Sequence, residues 1–465
     1  MKYILNNIAL RSFIYVPYAY YVWHERNASG LSEEEFNLLL KCNGEEDLNE
    51  SGLLKSLLER GLIRPAKDGE KLSSWAAHKN CDNRYFPAMN LQLTSKCNFN
   101  CIHCFNAEDN ARLSDEWSYE DVCSLLDQAR DCGINALTIS GGEPMIHPRF
   151  MDVVRKIYEN DMFIEELNTN GVFLTQEILT EFKRIGCNPL MKISFDGVGT
   201  HDILRCREGA EKKALESIQL CLDNGFRVMA QTNVNAITLG GIKEAAMLLD
   251  SMGVQEMRII RTTETPRWAE NEGNKAFSFV DYYNFGLEFL EEYLKGNHRM
   301  NIIIWQVCDL DMQSRAYSLV PASCDAEHYR GSIPLCKGNR GMVAIGANGN
   351  LYPCLQLSGT YDQRGEFRGN VKQNPLQGYL KDSEYLTEVC RTVSEYIDNN
   401  TQCGNCQWFK MCLGGCRGVG WGFTGDMLGP DFMKCVFFNS GYYEKYTELF
   451  ESREKPFKAY ARYAI

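Results

Sequence analysis

Between residues 86 and 290, short apolar or β-branched runs alternate with stretches whose apolar positions recur every three or four residues. The runs are "MNLQLTSKC", "NALTISGGEP", "FIEELNTNG", "LMKISFDG", "FRVMAQTNVN" and "QEMRIIRTT". Between them, "SYEDVCSLLDQARDCG", "TQEILTEFKRIG" and "GGIKEAAMLLDSMG" have polar starts and glycine stops, the signature of amphipathic helices. Six strand-then-helix units in a row imply parallel strands joined by helical crossovers. An open doubly wound sheet fits this alternation too. The unusual polar residues fall at or just after the C-terminal ends of the strands, where barrels keep their active sites, and this favours a partial (β/α)6 TIM barrel.

The pattern before residue 82 is different. Two aromatic strand-like runs, "YILNNIAL" and "FIYVPYAYYVWHE", precede "SEEEFNLLLKCNG" and "ESGLLKSLLERGLI". The latter two carry polar caps and i, i+3, i+4 apolar spacing and read as short helices. Strands followed by such helices suggest a small winged helix-turn-helix. A DNA-binding reading lacks its basic recognition helix, because "ESGLLKSLLERGL" is close to neutral. A cap that only stabilises the barrel is the plainer alternative.

Composition narrows the classes. The chain has 465 residues, enough for about three domains. Its formal net charge of -12 disfavours a large phosphate-binding surface, so nucleic acid is not expected as a partner. The N-terminus lacks a basic-then-apolar export pattern, and the apolar run 13–23 is short and interrupted by Pro17. A soluble, cytoplasmic protein without a membrane partner is expected. In such a compartment the twenty cysteines point to metal or redox chemistry rather than disulfides.

Three of these cysteines, Cys97, Cys101 and Cys104, follow the first strand as C-x3-C-x2-C with no obvious fourth partner nearby. Structural zinc needs four ligands. An iron-sulfur cluster held by three thiolates leaves one iron open for a small molecule that is to be reduced there.

With His103 before the last cysteine and "SGGEP" at 140–144 near the second strand, the chain resembles the radical S-adenosylmethionine (radical SAM) enzymes. The resemblance implies a 4Fe-4S cluster whose open iron is chelated by the amino and carboxylate groups of S-adenosyl-L-methionine, and reductive cleavage to a 5'-deoxyadenosyl radical. It implies cofactor contacts from His103, from Gly141, Gly142, Glu143 and Pro144 at the methionine ammonium, from Asn170 in "NTNG", and from Ser194 and Arg205 at the methionine carboxylate. Paired glycines let backbone approach closely, and a guanidinium grips a carboxylate bidentately. The bland alternatives are an ordinary strand-to-helix turn, a turn asparagine and a solvated arginine.

The last third contains C-x12-G-x4-C from Cys336 to Cys354, then C-x2-C-x5-C-x3-C at Cys403, Cys406, Cys412 and Cys416, and finally Cys435. This resembles the SPASM extension of a radical SAM subgroup. The resemblance implies two auxiliary 4Fe-4S clusters, three clusters in all. One would be held by Cys324, Cys336, Cys354 and Cys416, the other by Cys403, Cys406, Cys412 and Cys435. A pair of zinc ribbons is the rival reading.

The expected organisation is therefore a winged-helix, leader-recognition-like domain over 1–82, a radical SAM core over 83–290, a bridging segment over 291–323, an auxiliary-cluster domain over 324–440 and a helical tail over 441–465. Within the bridging segment Asp309 and Asp311 are candidate bases. The resemblance extends to maturases of ribosomally made peptides, of the sactipeptide, ranthipeptide or carbon-carbon crosslinking type. It implies a precursor peptide with a leader as substrate and a low-potential donor such as flavodoxin or ferredoxin. Alternatives are formylglycine formation as in anaerobic sulfatase maturases, peptide epimerisation and small-molecule dehydrogenation. Against the first, Leu355 and Gln356 stand after Cys354 where an aspartate is expected. A non-catalytic electron carrier or iron-sulfur sensor is the alternative from another class.

Overall fold

A computed structural model describes residues 1–106, 114–262, 266–272, 277–319 and 330–460. The six apolar runs form the parallel strands Ala88–Gln92, Ala136–Ser140, Phe163–Thr169, Leu190–Ser194, Val228–Val234 and Glu256–Arg261, adjacent in chain order. Helices cover them between strands: Tyr119–Asp131, Phe150–Glu159, Gln176–Arg184, Ala210–Asp223 and Ile242–Met252. Their starts are fixed locally where a side-chain oxygen takes an otherwise orphaned N–H: Ser118 accepts from Asp121 N and Thr175 from Ile178 N. The strands are buried on both faces, which is why they read as continuous apolar runs rather than as alternation. Leu91, Leu137, Leu167, Ile193, Ala230 and Ile259 belong to one core that also takes in the covering helices. The expected mixed α/β fold with a partial barrel is what the chain adopts.

The sheet continues beyond the core expected to end at residue 290. Helix Phe279–Tyr293 runs across that boundary and delivers a seventh parallel strand, Asn301–Ile304, onto Glu256–Arg261. An antiparallel meander, Cys308–Asp311 and Ala316–Leu319, extends it, and Lys458–Ala459 from the chain's end pairs with the last of these. On the opposite edge Met342–Ile345 pairs in parallel with Ala88–Gln92 and carries Leu351–Tyr352 beside it. One twelve-stranded sheet thus joins the barrel to the C-terminal cysteine region.

The N-terminal residues have a core of their own, including Tyr3, Leu5, Ile8, Phe36 and Leu57. Both expected helices are present, as Glu33–Lys41 and Gly52–Glu59, the first closed by a reciprocal Ser32–Glu35 cap. The two strand-like runs are cut into three strands, Lys2–Leu5, Ile8–Ile14 and Val16–Val22. The cuts fall at Asn7 and Tyr15, which turn the chain with φ of 52° and 69°. Lys2–Leu5 lies between Asn43–Asp47 and Ile63–Pro65 in a three-stranded antiparallel sheet. The tail carries helix Tyr442–Glu451.

Candidate active site

The cysteine loop leaves the C-terminal end of the first strand and is fastened to the second strand's "GGEP" turn by backbone. Gly142 N donates to Thr94 O at 2.8 Å and Glu143 N to Lys96 O at 2.9 Å. The approach is too close for a side chain: a Cβ on Gly142 would lie 2.3 Å from Lys96 O, and one on Gly141 2.3 Å from Thr94 O.

Glu143 is fully buried and turned into the protein. Its Oε1 accepts from Thr169 Oγ1 at 2.8 Å and Met145 N at 3.2 Å, and its Oε2 from Asn170 N at 2.7 Å. Burial outweighs these bonds and pushes the carboxyl up to about 7. Pro144 opens the short 3-10 turn Pro144–Ile146, which Glu143 caps. Asn170 links this carboxylate to the cysteine loop, because its Nδ2 donates to Asn98 Oδ1 at 2.7 Å while its own N–H serves Glu143. Its Oδ1 closes the local turn on Val172 N.

Cys97, Cys101 and Cys104 are neighbours. Burial pushes the Cys97 thiol up to about 12, with repulsion from Cys101 and Cys104 adding to it. Three soft thiols brought together, with burial holding Cys97 and Cys101 protonated until a cation joins them, suit an iron-sulfur cluster with one non-protein ligand. Among the described residues no three His, Cys, Asp or Glu side chains gather tightly enough to hold a single metal ion. A four-iron cluster spreads its thiolates wider than one ion does.

Arg205 is not a solvated arginine. It is buried, its Nε is 2.6 Å from Asp196 Oδ2, and its Nη1 lies 3.7 Å from Cys101 Sγ. Asp196 is itself fully buried and accepts from Asn233 N at 2.9 Å. The guanidinium thus holds the cysteine loop against the fourth and fifth strands. His103 is buried beside it, and desolvation with the nearby Arg205 lowers its imidazole to about 3, so the ring is neutral. Ser194 ends the fourth strand opposite Gln231. Sequence reasoning missed Asp196; its signal is the acidic residue two positions past Ser194 in "KISFDG".

The base candidates fare differently. Asp311 lies at the opposite, N-terminal end of the parallel strands, where Met312 N donates to Asn301 Oδ1, and its carboxylate closes a turn on Gln313 N and Ser314 N. It is therefore no base for chemistry at the cysteine loop. Asp309 is buried within the meander, paired with Ile303 and Ser318. Neither is brought to the "GGEP" turn.

The C-terminal thiols form two further neighbourhoods. Burial pushes Cys354 up to about 12, with Cys416 and Cys336 adding repulsion. Burial does the same to Cys412, to which Cys435 adds, and Cys435 in turn feels Cys403 and Cys406. Cys324 lies outside the described residues. The turn Leu413–Gly414–Gly415 between Cys412 and Cys416 is left-handed throughout, at φ of 47°, 80° and 75°. It packs against Asp431, whose Oδ2 accepts from Cys416 N at 2.9 Å and whose Oδ1 caps helix Phe432–Asn439, the helix that carries Cys435. Lys434 on that helix is buried and donates to Gln306 O, tying the cysteine region to the barrel. Neither Asp431 nor Lys434 stands out in the sequence.

Residues 91–248 match the Radical SAM superfamily. An AdoMet-dependent heme synthase of Methanosarcina barkeri is 26% identical over 341 residues, covering 72% of this chain and 93% of that protein. A PqqA peptide cyclase of Granulibacter bethesdensis is 20% identical, covering 73% and 85%. The crystal structure of Streptococcus suis SuiB bound to its precursor peptide SuiA superposes with a TM-score of 0.63 over 89% of this chain and 95% of SuiB, at 14% identity. The chain carries a radical SAM domain and is a radical S-adenosylmethionine enzyme, which uses a 4Fe-4S cluster and S-adenosylmethionine. Among the described residues no helix is long and apolar enough to cross a membrane.

Proposed function

We propose that this enzyme is a SPASM-type maturase that closes an intramolecular crosslink, a thioether or a carbon-carbon bond, in a ribosomally made peptide. The observation that carries the reading is the sorting of the C-terminal cysteines into two neighbourhoods, Cys336, Cys354 and Cys416 in one and Cys403, Cys406, Cys412 and Cys435 in the other. Two auxiliary clusters there, the first completed by Cys324, would give the second electron of the oxidation somewhere to go. When bound, S-adenosylmethionine and its cluster supply the radical that takes a hydrogen from an unactivated carbon.

The chain's own residues orient and enclose. Cys97, Cys101 and Cys104 hold the cluster, with Arg205 and Asn170 fixing their loop. The Gly141–Gly142 backbone receives the methionine ammonium, with Glu143 buried behind it as a carboxyl held by Thr169 and Asn170. Ser194 lines the far side. The N-terminal residues 1–82 capture the leader as an added strand, for which Asn43–Asp47 and Ile63–Pro65 are the outer strands of their sheet. Flavodoxin or ferredoxin is the fitting electron donor. Fold similarity to SuiB over 89% of the chain supports a peptide substrate.

A second reading rests on the heme synthase relatives: chemistry on a tetrapyrrole. The test is anaerobic incubation of the reconstituted enzyme with S-adenosylmethionine, reductant and either a precursor peptide encoded beside its gene or an iron porphyrin. A peptide lighter by two hydrogens, with 5'-deoxyadenosine formed in step, supports the maturase. Turnover of the porphyrin alone overturns it.

A further inference from the structure

A cavity of about 220 Å³ lies where the sixth barrel strand meets the C-terminal cysteine region. It is bordered by Arg261 and Thr262 at the strand's end, by Phe279 and Tyr283 of the following helix, and by Gly418 and Gly422 of helix Arg417–Thr424. Three of its wall residues adjoin candidate cluster ligands: Gln356 is two positions past Cys354, Gly418 two past Cys416, and Lys434 precedes Cys435.

The charged groups in this wall are all engaged by protein. Arg261 donates from Nη1 to Phe277 O at 2.8 Å, and its guanidinium lies 4.0 Å from the Phe279 ring centre. Lys434 is held by Gln306 O, and Asp431 accepts from three backbone N–H groups, those of Cys416, Met433 and Lys434. The phenols are engaged as well: Tyr282 donates to Ile259 O and Tyr283 to Met433 O, both at 2.9 Å. Beside the side-chain amides of Gln306 and Gln356, the wall presents ring faces and aliphatic stems, Trp305, Phe279 and Val307 among them. At the rim Phe423 is 50% exposed, with Phe432 edge-on to it and 48% exposed.

The space is also one that packing does not require. Helix Arg417–Thr424 holds three glycines, each costing about 1 kcal/mol of helix propensity relative to alanine. Gly420 is explained, because a Cβ there would sit 2.3 Å from Gly429 O. The two that border the cavity are not: a Cβ on Gly418 would meet nothing closer than 3.7 Å, and one on Gly422 nothing within 4 Å. Both leave room for something other than this chain.

We infer that this cavity seats one uncharged aromatic side chain of the substrate peptide beside the auxiliary thiols. Its volume falls below the roughly 300–1,000 Å³ usual for whole small-molecule ligands and suits a single side chain. That the side chain belongs to a peptide rests on the maturase reading; the cavity's preference for an aromatic ring does not.

The test uses the full-length, cluster-reconstituted enzyme with S-adenosylmethionine present, and saturation-transfer NMR with N-acetyl-tryptophanamide and N-acetyl-aspartate amide as probes. The expected result is binding of the tryptophan probe at least tenfold stronger than of the aspartate probe, and a tenfold or greater loss in Gly422→Leu, which fills the cavity. Should Gly422→Leu fail to fold by circular dichroism, Gly418→Ala takes its place with a loss of a few-fold. Equal binding of the two probes, or tryptophan binding that is unchanged in a folded variant, overturns the inference. If the tryptophan probe binds and is lost in the variant while no peptide is modified, the cavity stands and the maturase reading falls. If a peptide is crosslinked and the probe does not bind, the reverse holds.

Discussion

Arg205 and Asp196 form a buried ion pair, Nε to Oδ2 at 2.6 Å, and the same guanidinium reaches Cys101 Sγ at 3.7 Å. Burial works against both charges, yet each side chain holds the other ionised: the Asp196 carboxylate raises the pKa of the arginine, and the guanidinium depresses that of the aspartate. Replacing Asp196 by Asn keeps the shape and strands a buried cation, which costs about 3–5 kcal/mol. The expected outcome is a lower unfolding midpoint in guanidinium and a shifted midpoint potential of the cluster on Cys97, Cys101 and Cys104, read by EPR-monitored reduction. An arginine that served the methionine carboxylate alone would change S-adenosylmethionine affinity and leave that potential in place.

Glu143 makes stability depend on pH with a definite sign. Its carboxyl titrates near 7 in the fold against an ordinary value of 4.5, so between those limits the native state binds a proton that the unfolded chain has lost. Its contribution is present below about 4.5 and is lost as pH rises through 7. Thermal unfolding of Glu143→Gln compared with the parent between pH 5 and 8 should show the parent losing more stability over this range. A variant that tracks the parent in parallel contradicts the assignment. The rise in melting temperature on adding S-adenosylmethionine should grow from pH 6 to 8 in the parent and less so in Glu143→Gln.

Gly142→Ala puts a methyl 2.3 Å from Lys96 O and 2.4 Å from Ser95 O, the backbone leading into Cys97. Overpacking of this kind costs about 1–3 kcal/mol, and the loop must give way. Iron bound per chain should fall, along with the EPR signal elicited by S-adenosylmethionine. Gly240→Ala, with nothing within 4 Å of its added carbon, is the control and should behave as the parent.

The two C-terminal thiol neighbourhoods should empty separately. Cys416→Ala should remove one cluster's iron and sulfide, and Cys435→Ala a different one, with the double variant losing both. Cys390→Ala should lose neither. Iron analysis with Mössbauer or EPR spectroscopy of each variant checks this, and Cys324→Ala decides whether that residue belongs with Cys336, Cys354 and Cys416. Loss of all C-terminal iron from either single variant would show one shared site.

Much of the barrel is legible in the sequence because its strands are buried on both faces and its helices begin at Ser118 and Thr175, signals carried by neighbouring residues. The cysteine loop and the "GGEP" turn are legible for the same reason. Other features depend on partners far along the chain. Asp196 acquires meaning only once Asn233 and Arg205 close on it. Asp309 and Asp311 are two residues apart, yet strand direction sends Asp311 to the wrong end of the sheet. The seventh strand, within "MNIIIWQV", is too short and too uniformly apolar to reveal its period. The cuts at Asn7 and Tyr15 require positive φ, which asparagine tolerates but tyrosine seldom adopts, and no local pattern announces the second.

The pairing of Met342–Ile345 with Ala88–Gln92 means that the segment feeding Cys97 and the hairpin feeding Cys354 share one ladder of backbone hydrogen bonds. Neither can swing without shearing that seam. The spacing between the Cys97 loop and Cys354 is therefore a fixed dimension of the protein, set by β-sheet registry. A substrate must come to that gap ready to span it, since the gap will not close around it.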